Sequence, residues 1–205
     1  MPDAAPAPLI LASASCTRRR MLEAAGLEVR VEASTIDEEA VRAALRCKDG
    51  IVDPSGIAQR LARAKAEDVS RRHPSMLVIG ADQVLALDSR LFVKPDDLDG
   101  ARRTLEALRG RTHQLYSAVT LAERGRVVWA HVATAHLTMR ALSRDFVEDY
   151  LARAGADVRQ SVGAYLIEGL GIQLFERVEG DYFTILGLPL LPLLAELRLR
   201  ERLPA

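Results

Sequence analysis

Lysine is scarce in this chain: of 28 basic residues among 205, three are lysine, Lys48, Lys65 and Lys94. Arginine does most of the surface work, so a lysine hints at a place that wants a compact point charge, as phosphate oxygens do. Aromatic residues make up 4%, and 28 acidic residues balance the basic ones. Zero net charge leaves no global field to draw in nucleic acid or a membrane surface, and with so few aromatics a nucleic-acid binder is disfavoured. Two cysteines, Cys16 and Cys47, support neither a disulfide framework nor a metal motif. No apolar run approaches the roughly 20 residues that span a bilayer. Residues 1–7 lack the basic flank of a signal peptide, so they read as a loose tail and the protein as cytoplasmic. The absence of GxxxxGK[ST] excludes a P-loop.

Apolar residues reach 49% and charged residues 27%, a composition that buries a full core. Residues 8–12 read as a short strand, followed by Ser13-Ala14-Ser15 and a helix with Met21, Leu22 and Ala25 inward, stopped by Gly26. Residues 27–31 read as a second strand and residues 40–54 as mostly loop. A helix is expected over 55–72 with Ser55 as its cap, then a buried strand opening at 76–79 and turning back at Asp88-Ser89-Arg90. Asp99 is the expected cap of a helix that buries Ala101, Leu105 and Leu108. Residues 112–122 and 127–142 form a long hairpin around Glu123-Arg124-Gly125-Arg126, with His113, His131 and His136 as strand histidines. Ser143 caps another helix, a glycine-punctuated stretch follows, and a leucine-rich helix after Pro189 closes the core. No repeat or linker interrupts this, which predicts one α/β domain over 1–205.

Four places carry candidate chemistry. Asp82 sits among Ala81, Val84, Leu85 and Leu87, where a carboxylate costs several kcal/mol, roughly, unless a cation pairs with it; a hairpin brings Lys94 back towards its strand. Lys65 falls in four-residue steps with Ile57, Leu61 and Val69, on the apolar stripe of its helix. Its stem either snorkels out or reaches a polar site. Residues 13–18, between a strand and a basic helix start, form either an anion site or an ordinary serine cap. Asp37-Glu38-Glu39 reads as a helix N-terminal turn or as metal ligands, the turn being favoured.

Taken together, six segments resemble the Maf family of nucleotide pyrophosphatases, from about Leu9 to Leu197. They are LILASAS…RRRML, IDEE, RLARAKA, GADQ…VKPDD, LRGRTHQLYSAV and SVGAYLIEGLGIQLFERVEGDYFTILGLPL. The resemblance implies an elongated, bent mixed sheet flanked by helices, related to the inosine-triphosphate pyrophosphatases. It also implies a homodimer and hydrolysis of a nucleoside triphosphate to monophosphate and pyrophosphate with a divalent metal, Mg²⁺ or Mn²⁺. Carried over by position, Asp82, Glu38 and Lys94 are catalytic, with Glu38 and Asp82 holding the metal. Ser13, Arg18 and Lys65 bind the phosphates. Thr17, Gln83 and Glu168 occupy the positions that choose the base. Gln83 and Glu168 are similar to the branch acting on 7-methyl-GTP rather than to the dTTP and UTP branch. Thr17 replaces that branch's aromatic residue, and Cys16 replaces the motif proline. A non-catalytic, nucleotide-binding inhibitor of septum formation is the competing role that the family carries.

Overall fold

The computed structural model describes residues 9–44 and 53–204. The tail at 1–7, Cys47 and Lys48 lie outside the described residues. The chain is α/β, and hydrogen bonding orders seven strands as β2-β1-β3-β5-β6-β7, with β4 added to β3. The described residues fold as two compact units, 9–44, 53–83, 117–133 and 181–204 in the first, and 84–116 and 134–180 in the second.

In the first unit β1 (Leu9–Ala12) is buried throughout, because both of its faces are covered. Leu9 and Leu11 join Leu77, Ile79 and Ala81 of β3 (Leu77–Leu87) in a core with α1 (Cys16–Ala24) and α7 (Leu190–Leu199). Those helices contribute Met21, Leu22, Leu190, Leu193 and Leu197. Ile10 and Ala12 point the opposite way and pack with Val78 and with Val69 of α3 (Pro54–Arg72). β1 runs parallel to β2 (Val29–Val31) on one side and to β3 on the other, Leu9 opposite Leu77 and Ala12 opposite Gly80. Strands covered on both faces read as continuous apolar runs, and each buried leucine contributes about 1.5–3 kcal/mol. Period-two alternation therefore puts Val78, Gly80 and Asp82 on the α3 face and Ala81 and Gln83 on the other.

In the second unit the end of β3 turns through Asp88, at φ +53, into β4 (Arg90–Phe92), antiparallel with Leu85 opposite Phe92. α4 (Leu98–Leu108) and α5 (Arg144–Ala154) follow their caps, and β7 (Phe175–Glu179) pairs antiparallel with β6 (Arg126–Met139). His113, at the start of β5 (Thr112–Glu123), is fully buried. Its Nε2 is 2.7 Å from the Tyr165 hydroxyl, and Tyr165 meets Phe175 edge-on at 4.8 Å. Burial pushes the His113 imidazole down to about 4.

Several boundaries differ from expectation for local reasons. Residues 40–44 are not loop: α2 spans Glu38–Ala44, with the Asp37 carboxylate accepting from Ala40 N at 2.9 Å. Asp53, not Ser55, precedes α3, because Pro54 takes the first helical position, where its missing N–H costs nothing. Asp97 rather than Asp99 caps α4, accepting from Gly100 N at 2.6 Å. Asp99 falls in the first turn, where its charge faces the helix N-terminus. Ser143 caps α5 as expected, and Arg124 and Gly125, both at positive φ, make the hairpin turn.

Candidate functional site

The site begins with a glycine. A Cβ at Gly80 would stand 2.2 Å from the Ala62 carbonyl oxygen and 2.7 Å from Ala66 Cβ and N, so the backbone of α3 rests directly on β3 there. This approach brings Lys65 to Asp82: Lys65 Nζ donates to Asp82 Oδ1 at 2.7 Å, with the two residues 8% and 5% exposed. The same ammonium is 2.8 Å from Glu38 Oε1, and Arg42 Nη2 donates to Glu38 Oε2 at 3.0 Å. Burial alone would raise the Glu38 carboxyl, but hydrogen bonds and charge from Lys65 and Arg42 hold it below its ordinary value. Glu38 is aimed by its approach segment, whose Thr35 N donates to Asp68 Oδ2 of α3 at 2.9 Å.

Arg18 borders this group. Its Nη1 donates to the Ala81 carbonyl at 2.9 Å and to Ser13 Oγ at 3.1 Å, while Nε donates to the Gly187 carbonyl at 2.8 Å. Burial lowers its pKa against the opposing pull of the Asp82 and Glu38 carboxylates. Ser13 is buried, and Ser15 caps α1 by accepting from Arg18 N. Thr17 is half-buried in the first turn of α1, next to the exposed Cys16. Gly187, at φ +98, lies between Arg18 and Gln83: a Cβ there would be 3.5 Å from Arg18 Nη2 and 3.6 Å from Gln83 Cδ. Gln83 Nε2 reaches Ser117 Oγ at 2.9 Å and the carbonyls of Ile185 and Thr184 at 3.0 and 3.2 Å. Those carbonyls end α6 (Tyr182–Ile185), capped by Asp181.

Of the residues picked from sequence, Asp82, Lys65 and Glu38 form one bonded set, and Ser13 and Arg18 form another beside it. Lys94 and Glu168 belong to the second unit, each exposed. Sequence reading missed Arg42 and Ser117. Arg42 had a signal, since it stands four residues after Glu38 on what is now a helix; Ser117 had only its place in the segment LRGRTHQLYSAV.

The two carboxylates fit a hard divalent cation. Among the described residues, Asp82 Oδ2 is buried with no hydrogen-bond partner, so one ligand oxygen is uncommitted. Among the described residues no three or more His, Cys, Asp or Glu side chains are placed to hold a metal ion by themselves. Mg²⁺ is commonly held this way, by one or two carboxylates with water and substrate phosphates completing its shell.

A family model described as Maf-like protein matches residues 8–200. A 7-methyl-GTP pyrophosphatase of Mesorhizobium japonicum is 55% identical over 190 residues, 93% of this chain and 94% of its own. One of Brucella abortus is 52% identical over 194 residues, 95% of this chain and 96% of its own. A nucleoside triphosphate pyrophosphatase of Paramagnetospirillum magneticum is 52% identical over 189 residues, covering 92% and 96%. Among solved structures, a HAM1 protein from Coxiella burnetii aligns with a TM-score of 0.43 and 15% identity, over 66% of this chain and 74% of that one. The sequence matches, not this looser one, establish kinship.

Proposed function

The chain belongs to the Maf-like protein family, and from that premise we propose that it is a nucleoside triphosphate pyrophosphatase acting on modified purine nucleotides of the 7-methyl-GTP kind. The observation that carries the reading is the Asp82–Lys65–Glu38 set, a buried Asp82–Lys65 pair whose ammonium also holds the part-exposed Glu38, with one Asp82 carboxylate oxygen uncommitted. In the reaction, water attacks the α-phosphorus, the bond from that phosphorus to the α,β-bridging oxygen breaks, and pyrophosphate leaves with the electron pair. Asp82 takes the proton of the attacking water, a role open to a carboxylate within hydrogen-bond reach of it. Lys65 moves charge towards the phosphates from a buried position, where each charge interaction is stronger than in water. Arg18 and Ser13 grip the phosphate tail from the strand-to-helix turn. A divalent metal, Mg²⁺ or Mn²⁺, held by Glu38 and Asp82 when bound, supplies neutralisation of the phosphate oxygens. Gln83 contributes to the choice of base, with Thr17 beside Arg18 in sequence. Lys94 and Glu168, added by the motif resemblance, enter through the test below.

Among the described residues no helix is long and apolar enough to cross a bilayer. Purified protein offered 7-methyl-GTP, GTP, dTTP and UTP with Mg²⁺ is expected to release pyrophosphate fastest from 7-methyl-GTP. Asp82→Asn is expected to lower the rate by about 10²–10⁴-fold, and Lys94→Ala and Glu168→Ala to lower kcat/KM. Undiminished turnover by Asp82→Asn would remove it from the chemistry, and faster release from dTTP would overturn the base assignment. Size-exclusion chromatography with light scattering tests the homodimer.

A further inference from the structure

We infer that Ser117 is a positioning residue for base selection: it locks the Gln83 carboxamide so that Oε1 faces the ligand and accepts a hydrogen bond from an N–H of the base. The inference rests on the pyrophosphatase reading. Ser117 is fully buried, and its hydroxyl donates to the Thr184 carbonyl at 2.7 Å. With its one hydrogen committed there, Ser117 Oγ can only accept from Gln83, at 2.9 Å. The Gln83 amide nitrogen thus faces three acceptors, Ser117 Oγ and the carbonyls of Ile185 and Thr184. Turned over, Oε1 would confront two carbonyl oxygens that cannot donate, and Ser117 could donate to it only by giving up its bond to the Thr184 carbonyl, so the network selects one orientation. With Nε2 turned to those three acceptors, Oε1 points away from them, and the half-buried Gln83 presents it to a ligand in this assignment.

The polarity has a chemical consequence. A fixed acceptor complements an edge that offers N–H groups, as the N1–H and N2–H₂ of guanine do, and is left unpaired against the N1 acceptor of adenine. An unmatched buried polar group discriminates more sharply than a lost methylene. Ser117 acts through Gln83 and touches no substrate in this assignment. Without its oxygen, one amide N–H loses its partner and the carboxamide gains freedom to turn.

Steady-state kinetics with GTP and ATP, in wild type, Ser117→Ala, Ser117→Thr and Gln83→Leu, tests this. In Ser117→Ala the GTP-to-ATP ratio of kcat/KM is expected to fall three- to tenfold through the KM for GTP, with kcat changed less than twofold. Ser117→Thr, which keeps the hydroxyl, retains the ratio, and Gln83→Leu loses at least as much as Ser117→Ala. The side-chain NH₂ of Gln83, followed by ¹⁵N NMR in the protein without nucleotide, is expected to be protected from exchange in wild type and in Ser117→Thr. It loses that protection in Ser117→Ala. An unchanged ratio in Ser117→Ala, a loss of kcat with the ratio intact, or an unprotected NH₂ in wild type overturns the assignment. Failure of wild type to release pyrophosphate from any triphosphate overturns the pyrophosphatase reading instead, which separates the two.

Discussion

Replacing Lys65 by methionine separates what this residue does for stability from what it does for chemistry. Methionine keeps most of the buried stem and removes the ammonium that lies 2.7 Å from Asp82 and 2.8 Å from Glu38. At that separation and an effective dielectric near 20, the Asp82 attraction is about 6 kcal/mol before desolvation is counted. Glu38, with 39% of its side chain exposed, keeps Arg42 and contributes less, about 0.2–1 kcal/mol. Asp82 fares worse, since Oδ2 already lacks a partner and Oδ1 would lose the one it has. Breaking a buried pair by deleting one member costs about 3–5 kcal/mol, most of it from the charge left behind. Urea unfolding at pH 7 should therefore show Lys65→Met less stable by about 3–5 kcal/mol. Lys65→Met/Asp82→Asn, in which no charge is stranded, should recover at least about 2 kcal/mol of that loss. Neither variant should release pyrophosphate at a measurable fraction of the wild-type rate. A cost under about 1 kcal/mol for Lys65→Met, or a double variant losing the sum of the singles, would refute the claim that the pair is buried and coupled.

Two further outcomes are expected. Gly80→Ala inserts a methyl against the α3 backbone at Ala62 and Ala66, so it should cost about 1–3 kcal/mol as overpacking and lower kcat by displacing Lys65; unchanged urea midpoint and activity would show that α3 does not rest on β3. His113 is held near 4 by burial, below its ordinary 6.5, so between those values the unfolded chain binds more protons than the folded one. Its contribution is complete above pH 6.5 and declines as the pH falls towards 4, by about 3 kcal/mol in all. Urea titrations from pH 7 to 4 should show that slope in wild type and a shallower one in His113→Gln; parallel slopes would place the titration elsewhere.

The candidate site was partly legible because its chemistry collides with its surroundings. A carboxylate inside an apolar strand and a lysine on the buried stripe of a helix each need a partner, and the two needs answer one another across Gly80. Arg18 was legible by type but not by use. Its guanidinium is committed to the Ala81 and Gly187 carbonyls and to Ser13, so it braces the segments that carry Asp82 and Gln83 as well as offering charge. Nothing in a run of residues announces which carbonyls an arginine will meet 63 or 169 positions away.

Order along the chain determined the α/β class, the strands buried on both faces, the helices over 54–72, 98–108 and 144–154 to within a residue or two and the identity of the charged groups, because each follows from local periodicity, capping and the cost of burying charge. Tertiary structure alone decided that Lys65 bridges Glu38 and Asp82, that Arg42 closes the far side of Glu38, and that Ser117 sets the direction of the Gln83 amide. Those outcomes depend on the angle and distance at which separate segments dock. Hydrogen bonds change from made to absent within about half an ångström of that placement.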